Sequence, residues 1–196
     1  MMKEVGMFGR VLRVVAVGLL TLFGTLAGLF IAGETFADPG GWEAVVLTAA
    51  WALPLIALSV LALVWPGRSS KVLPVVLALV AGWVIVDALA HVIDRDVRGP
   101  VGVVSMFAVL IPCGLLGVHR AAEAGWLLLA GAAAQFVATV ASMDRAGGQS
   151  LWSAFGGSTG VMVLPFLVLA MVFLAVAAAE RWTDGAGGTQ RLGHAH

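Results

Sequence analysis

The chain has 196 residues, of which 61% are hydrophobic and 11% charged, with a formal net charge of zero. An ordinary soluble domain is about a quarter charged, so this composition leaves too few polar side chains to coat a water-facing surface. Zero net charge removes the global basic field that nucleic-acid binding calls for, and the single cysteine, Cys113, excludes an internal disulfide and a cysteine-built zinc site. Cys113 sits beside Pro112 in an apolar run with no neighbouring cation, which predicts a packing role rather than a nucleophile.

The charged residues divide the rest into spans. Twenty uncharged residues separate Arg13 from Glu34, and twenty-four separate Glu43 from Arg68. Val72–Val86 is free of charge, and the apolar character continues to Ile93 with Asp87 and His91 as interruptions. Gly99–Val118 and Ala124–Met143 give two further stretches of twenty, and Ala146–Ala179 is uncharged with a Gly- and Ser-bearing first part that reads as a loop. At 1.5 Å per residue about twenty residues cover a hydrocarbon core of roughly 30 Å, and helices alone satisfy their own backbone there. The prediction is an all-α polytopic membrane protein with six spans at about 12–33, 44–65, 72–93, 101–118, 124–143 and 159–180. The first stretch is longer than a signal-peptide core and no A-x-A-like site follows it, so it reads as a retained helix. Residues 183–196 are Gly-rich and polar and read as a flexible tail.

Orientation follows from Lys and Arg in the short loops. Lys3, Arg10, Arg13, Arg68, Lys71, Arg120, Arg181 and Arg191 fall on one side, and Arg95, Arg98 and Arg145 on the other. The eight-to-three balance places both termini and the tail in the cytoplasm. Trp42, Trp65, Trp126 and Trp182 stand near span ends, where an aromatic belt would put them.

Paired as 1–2, 3–4 and 5–6, the spans show a regularity. Glu34, Asp94 and Asp144 lie in the outer loops, and Pro54, Pro112 and Pro165 follow them by 20, 18 and 21 residues within the second helix of each pair. The pattern is compatible with three tandem helical hairpins. Each proline removes a helical hydrogen bond and favours a kink one turn back.

Ionisable groups inside hydrocarbon are costly, roughly 2.5–3.5 kcal/mol for Asp at a helix centre, and so point to function. Asp87 and His91 of the third span are spaced i, i+4, and Asp94 adds i+7, which puts all three on one face. Gln135, Thr139 and Ser142 repeat this spacing on the fifth span, and Ser105 of the fourth lies at similar depth. Together they predict a polar cavity near the outer surface. Asp87 and His91 can instead satisfy each other across one turn with no ligand; they can handle a proton or cation, since His titrates near neutrality; or, with Asp94, they can hold a divalent metal. Gln135, Thr139 and Ser142 can equally bind helix to helix, and Gly18, Gly24, Gly28 and Gly131 suit close helix approach.

Neither a phosphate-binding G-x-x-x-x-G-K-[ST] loop nor an H-E-x-x-H pair occurs, and no cofactor is predicted. The segment Gly33-Glu34-Thr35-Phe36 … Asp38-Pro39-Gly40-Gly41-Trp42, with Trp51 and Pro54, resembles a set of small uncharacterised bacterial membrane proteins. The resemblance covers about residues 33–54 and implies another small polytopic membrane protein with no assigned activity; it carries over no functional residue. The expectation is therefore an accessory or structural component of a bacterial cytoplasmic membrane. Its partners would be the lipid bilayer and a membrane protein or further copies of itself, with no nucleic acid. The alternatives are a small transporter or proton- and cation-handling protein centred on Asp87 and His91, and an intramembrane metal-dependent enzyme.

Overall fold

The computed structural model describes residues 2–37, 40–90, 95–143 and 158–192, and no strand occurs among them. Six helices follow in chain order: α1 Met2–Ala37, α2 Gly41–Val64, α3 Pro66–Ala90, α4 Arg95–Leu115, α5 Ala121–Met143 and α6 Ser158–Leu192. Each is long and apolar enough to cross a membrane, and the protein is a multi-pass helical membrane protein.

Short reversals join neighbouring helices where turn chemistry allows them. Between α1 and α2, Gly40 and Gly41 hold φ of 72° and 59°, a left-handed backbone that favours glycine. A Cβ on Gly40 would stand 3.2 Å from the Phe36 carbonyl oxygen. Between α2 and α3 the only residue outside both helices is Trp65, whose N–H closes on Leu61 O at 3.0 Å. Pro66 then opens α3 at the first helical position, where a missing N–H costs nothing. This proline explains why α3 begins six residues before the apolar run at Val72 that marks it in the sequence. At the end of α4 the chain tightens into a 3₁₀ turn, Leu116–Val118, and reverses through His119 and Arg120, whose N–H groups donate to Leu116 O at 3.0 and 2.8 Å. At the other extreme of the chain α6 continues to Leu192, through most of the stretch whose composition suggests a flexible tail. The extension takes in Gly185, Gly187 and Gly188, each of which a helix interior holds at about 1 kcal/mol relative to alanine.

The packing has a centre. α1 packs on α2, α2 on α3, α3 on α5, α5 on α6 and α6 back on α1, so five helices close a ring, and α4 stands inside it in contact with all five. Its residues from Met106 to Gly114 are buried without a break, the pattern of a helix enclosed on every side. The ring helices instead bury one stripe each. On α5 it is Ala121, Ala124, Leu128, Ala132, Gln135 and Ala138, and on α6 Val163, Phe166, Leu169, Phe173 and Val176, spaced by three and four residues. Small residues on α5 let it share its most extensive contact with α6. A Cβ on Gly125 would meet Leu174 at 2.8 Å from Cγ and 3.1 Å from its backbone nitrogen. Without water to drive apolar faces together, such close approach is what binds helices in a bilayer.

The pairs α1–α2, α3–α4 and α5–α6 are each in contact, yet they do not hold equivalent places, because only α4 lies inside the ring. The three prolines differ accordingly: Pro54 is exposed, Pro112 buried and Pro165 half-buried, each within its helix. Pro74 lies inside α3 as a fourth, exposed case.

Candidate functional site

Two contacts fix the relative heights of the polar residues on α3, α4 and α5. The Cβ position of Gly131 on α5 lies 2.2 Å from Leu110 Cδ2 of α4 and 3.3 Å from Leu77 Cδ1 of α3, and that of Gly102 lies 3.8 Å from Val84 Cγ1. α3 and α5 run in the same direction and α4 against them. Counting 1.5 Å per residue from these contacts, Ser105 and Gln135 share one level, near Ala81 of α3. Asp87 is about 9 Å nearer the end of the bundle that carries the α1–α2 turn. The polar cluster is thus split between a deeper pair and a shallower acid.

Asp87 is half-buried on α3 and takes part in a polar interaction there. His91 and Asp94, the other two residues of that face, lie outside the described residues, as does the side chain of Ser142. The two hydroxyls of the cluster that are described, those of Ser105 and Thr139, turn back on their own helices. Ser105 Oγ donates to Val101 O at 2.7 Å, and Thr139 Oγ1 donates to Gln135 O at 2.9 Å. Such back-bonds satisfy a hydroxyl in an apolar medium without a second helix.

Gln135 is different. Its side chain turns into the bundle, only 9% exposed, and its Oε1 has no hydrogen-bond partner. It lines a partly open cavity with Ala132 of α5, Val103, Met106, Phe107 and Leu110 of α4, and Val163 and Phe166 of α6. Apart from Gln135 every lining side chain is apolar, and Asp87 is not among them. About 10 Å³ is open to the centre of a water molecule, the room of a single water. Two of the lining rings, Phe107 and Phe166, belong to an aromatic trio with Phe23 of α1, whose rings meet edge to face with centres 5.6–6.5 Å apart. Spacing on α5 singles Gln135 out in the sequence, but not which way its amide points, because that depends on the helices around it.

A second polar constellation, at the end of the bundle where α1 and α5 begin, was not legible from spacing. Arg13 of α1 donates from Nη1 to Val118 O at 3.0 Å and from Nη2 to Glu180 of α6. Its guanidinium thus joins α1 and α6 and caps one carbonyl of the 3₁₀ turn that finishes α4, where the helix end is negative. Arg120 pairs with Glu123 at 2.5 Å on the surface, as their i, i+3 spacing allows. Arg68 lies over the Trp65 ring, 5.9 Å from its centre. Elsewhere in the described residues, the hydroxyls of Thr48, Ser59 and Ser69 and the Trp51 indole nitrogen are buried without partners.

Gly156-Gly157-Ser158-Thr159-Gly160 reads as G-x-S-x-G; Ser158 opens α6, and the residues before it lie outside the described ones. No set of three His, Cys, Asp or Glu side chains gathers as a metal site among the described residues, a search that leaves out His91 and Asp94. No protein family, curated protein or solved structure matches the chain.

Proposed function

We propose that the protein is an accessory or structural component of a bacterial cytoplasmic membrane, with both termini in the cytoplasm, and that it works through its outer surface rather than an internal pathway. The observation that carries this reading is α4, which fills the middle of the ring. Its side chains interlock with glycines and aromatics of its neighbours where a conduit would have to run. The broad apolar flanks of α1 and α2, with Leu19, Leu22, Leu26, Leu53, Ile56 and Val60 exposed, offer surface to lipid and to a membrane-protein partner. The arginine balance between the loops supports the orientation.

The test is gentle extraction in native lipid followed by native mass spectrometry, beside proteoliposomes loaded with a pH-sensitive dye. A retained protein partner together with proton flux equal to that of empty vesicles is the expected result. Flux above empty vesicles would sink the reading.

A second reading is favoured by the half-buried carboxylate of Asp87 within a membrane-spanning helix, a placement that hydrocarbon makes costly. There the protein moves or senses a proton or cation at Asp87 and His91. Flux that drops in Asp87→Asn would select it. A bound divalent metal lost in His91→Ala would instead point to the metal-dependent enzyme.

A further inference from the structure

We infer that Arg68 and Lys71, near the start of α3, jointly hold the phosphate of one anionic phospholipid, with Trp65 against the body of that lipid. The inference goes beyond the accessory role and rests neither on it nor on Asp87.

Charges at this end of the bundle are unevenly matched. Arg13 pairs with Glu180 and Arg120 with Glu123, which takes up both acids whose side chains are described there. Arg68 and Lys71 are exposed, and among the described residues neither pairs with an acid or donates to another acceptor. Along the chain no acid occurs between Glu43 and Asp87, and both of those stand toward the opposite end. Two neighbouring cations without a counter-charge make a local positive field that an anion from outside can neutralise.

The geometry suits a single phosphate. Three apart on one helix, the two side chains start about 5–6 Å from each other, so both can reach the same group. Arg68 lies over the Trp65 ring, 5.9 Å from its centre, and a guanidinium so placed keeps its N–H edge for a two-pronged contact with phosphate oxygens. Between them, the Cβ position of Gly67 meets nothing within 4 Å, so the approach is open.

The surface beside the cations selects a lipid over a soluble phosphate. Leu63 and Val64 at the end of α2, and Trp65 after them, present exposed apolar side chains at the limit of a membrane span. Acyl chains cover that flank while the phosphate meets the cations, and an indole ring suits the boundary between the two. An anionic headgroup also brings no cation of its own, whereas choline competes with Arg68 and Lys71 for the phosphate.

The experiment titrates the purified full chain, in neutral detergent, with phosphatidylglycerol or phosphatidylcholine and reads lipid occupancy by native mass spectrometry. Arg10→Gln and Arg181→Gln are the controls, because both arginines are exposed at the same end and neither has a second unpaired cation described within one turn. The wild type should take up one phosphatidylglycerol ahead of phosphatidylcholine. Near a membrane surface each Lys or Arg contributes about a fivefold preference for anionic lipid, so Arg68→Gln and Lys71→Gln should each weaken that first binding by about fivefold and the controls by less than about twofold. Both tested positions are exposed, so these variants should fold as the wild type does. Equal losses in all four variants would reduce the effect to diffuse attraction and overturn the proposal, as would phosphatidylcholine bound as tightly as phosphatidylglycerol, or first binding unchanged in Arg68→Gln or Lys71→Gln. Sodium phosphate should displace the lipid no better than sodium chloride of equal ionic strength. Displacement by phosphate alone would assign the two cations to a soluble phosphate and overturn the lipid.

Discussion

The apolar span of α2, Gly41–Val64, and that of α4 with its 3₁₀ end, Val101–Val118, have the same mean hydropathy, 2.3, yet 67% of the second is buried and only 6% of the first. Mean hydropathy does not separate the two spans. In water such a difference would be decided by hydrophobicity; in a bilayer, lipid tails welcome an apolar side chain as readily as another helix does. The helices separate instead by where small residues let a neighbour come close. Near the end of α4 Gly114 admits Leu20 of α1, and in the 3₁₀ turn that follows Gly117 admits Phe173 of α6, with Cβ positions 2.4 and 2.3 Å from those side chains. α2 has no glycine between its first residue and its end, and Leu53, Ile56, Val60 and Leu63 stand exposed.

The largest effect that would test this contrast comes from closing one of these gaps. Gly117→Ala puts a methyl group into the ring of Phe173, itself fully buried, and should cost about 3 kcal/mol in unfolding from mixed micelles. Gly18→Ala, with open space around its Cβ position, should stay within about 0.5 kcal/mol. Equal losses at the two sites would mean that close approach is not what places α4 at the centre. An intermediate effect is expected at the Arg13–Glu180 pair. A double-mutant cycle with alanine at both should give a coupling of about 0.5–1 kcal/mol, smaller in high salt because both side chains are partly exposed. A coupling of zero would make the pair incidental. The smallest effect belongs to α2: Ile56→Ala should change stability by less than about 0.5 kcal/mol, since the side chain meets lipid before and after assembly. A loss above about 1 kcal/mol would show that this flank is covered by a partner or a second copy.

The existence of six apolar helices was legible because charge is expensive in hydrocarbon, so Arg13, Glu34, Glu43 and Arg68 mark the limits of the first two spans by their presence alone. The arrangement was not. Gly18, Gly24, Gly28 and Gly131 all suit close approach by spacing, but Gly131 and Gly24 meet neighbouring helices tightly while Gly18 faces open space. Gly114, Gly117 and Gly125 hold tight contacts that spacing did not single out. A signal was present: Cys113, Gly114 and Gly117 crowd small side chains into the end of α4 and the 3₁₀ turn after it, and six of the eight buried residues of α5 are alanine or glycine. What a single sequence lacks is the direction of each stripe, which only the neighbouring helices define. The same limit applies to the polar cluster. Spacing groups Gln135 with Thr139, yet the amide turns into the core while the hydroxyl bonds along its own helix. Depth, too, separates Asp87 from Gln135, because it depends on how far α3 slides along α5.

The closed ring also constrains the order of manufacture. A ribosome delivers α1, α2 and α3 to the membrane before the helix that they surround, so α4 must slip into a three-sided enclosure or wait outside it. The contact that completes the circuit, α6 on α1, joins the last span made to the first. Arg13 is therefore synthesised long before Glu180 and Val118 exist to receive it. Until they arrive, its charge anchors the first helix at the water boundary, so one side chain serves as a mooring during biogenesis and as a clasp in the finished protein.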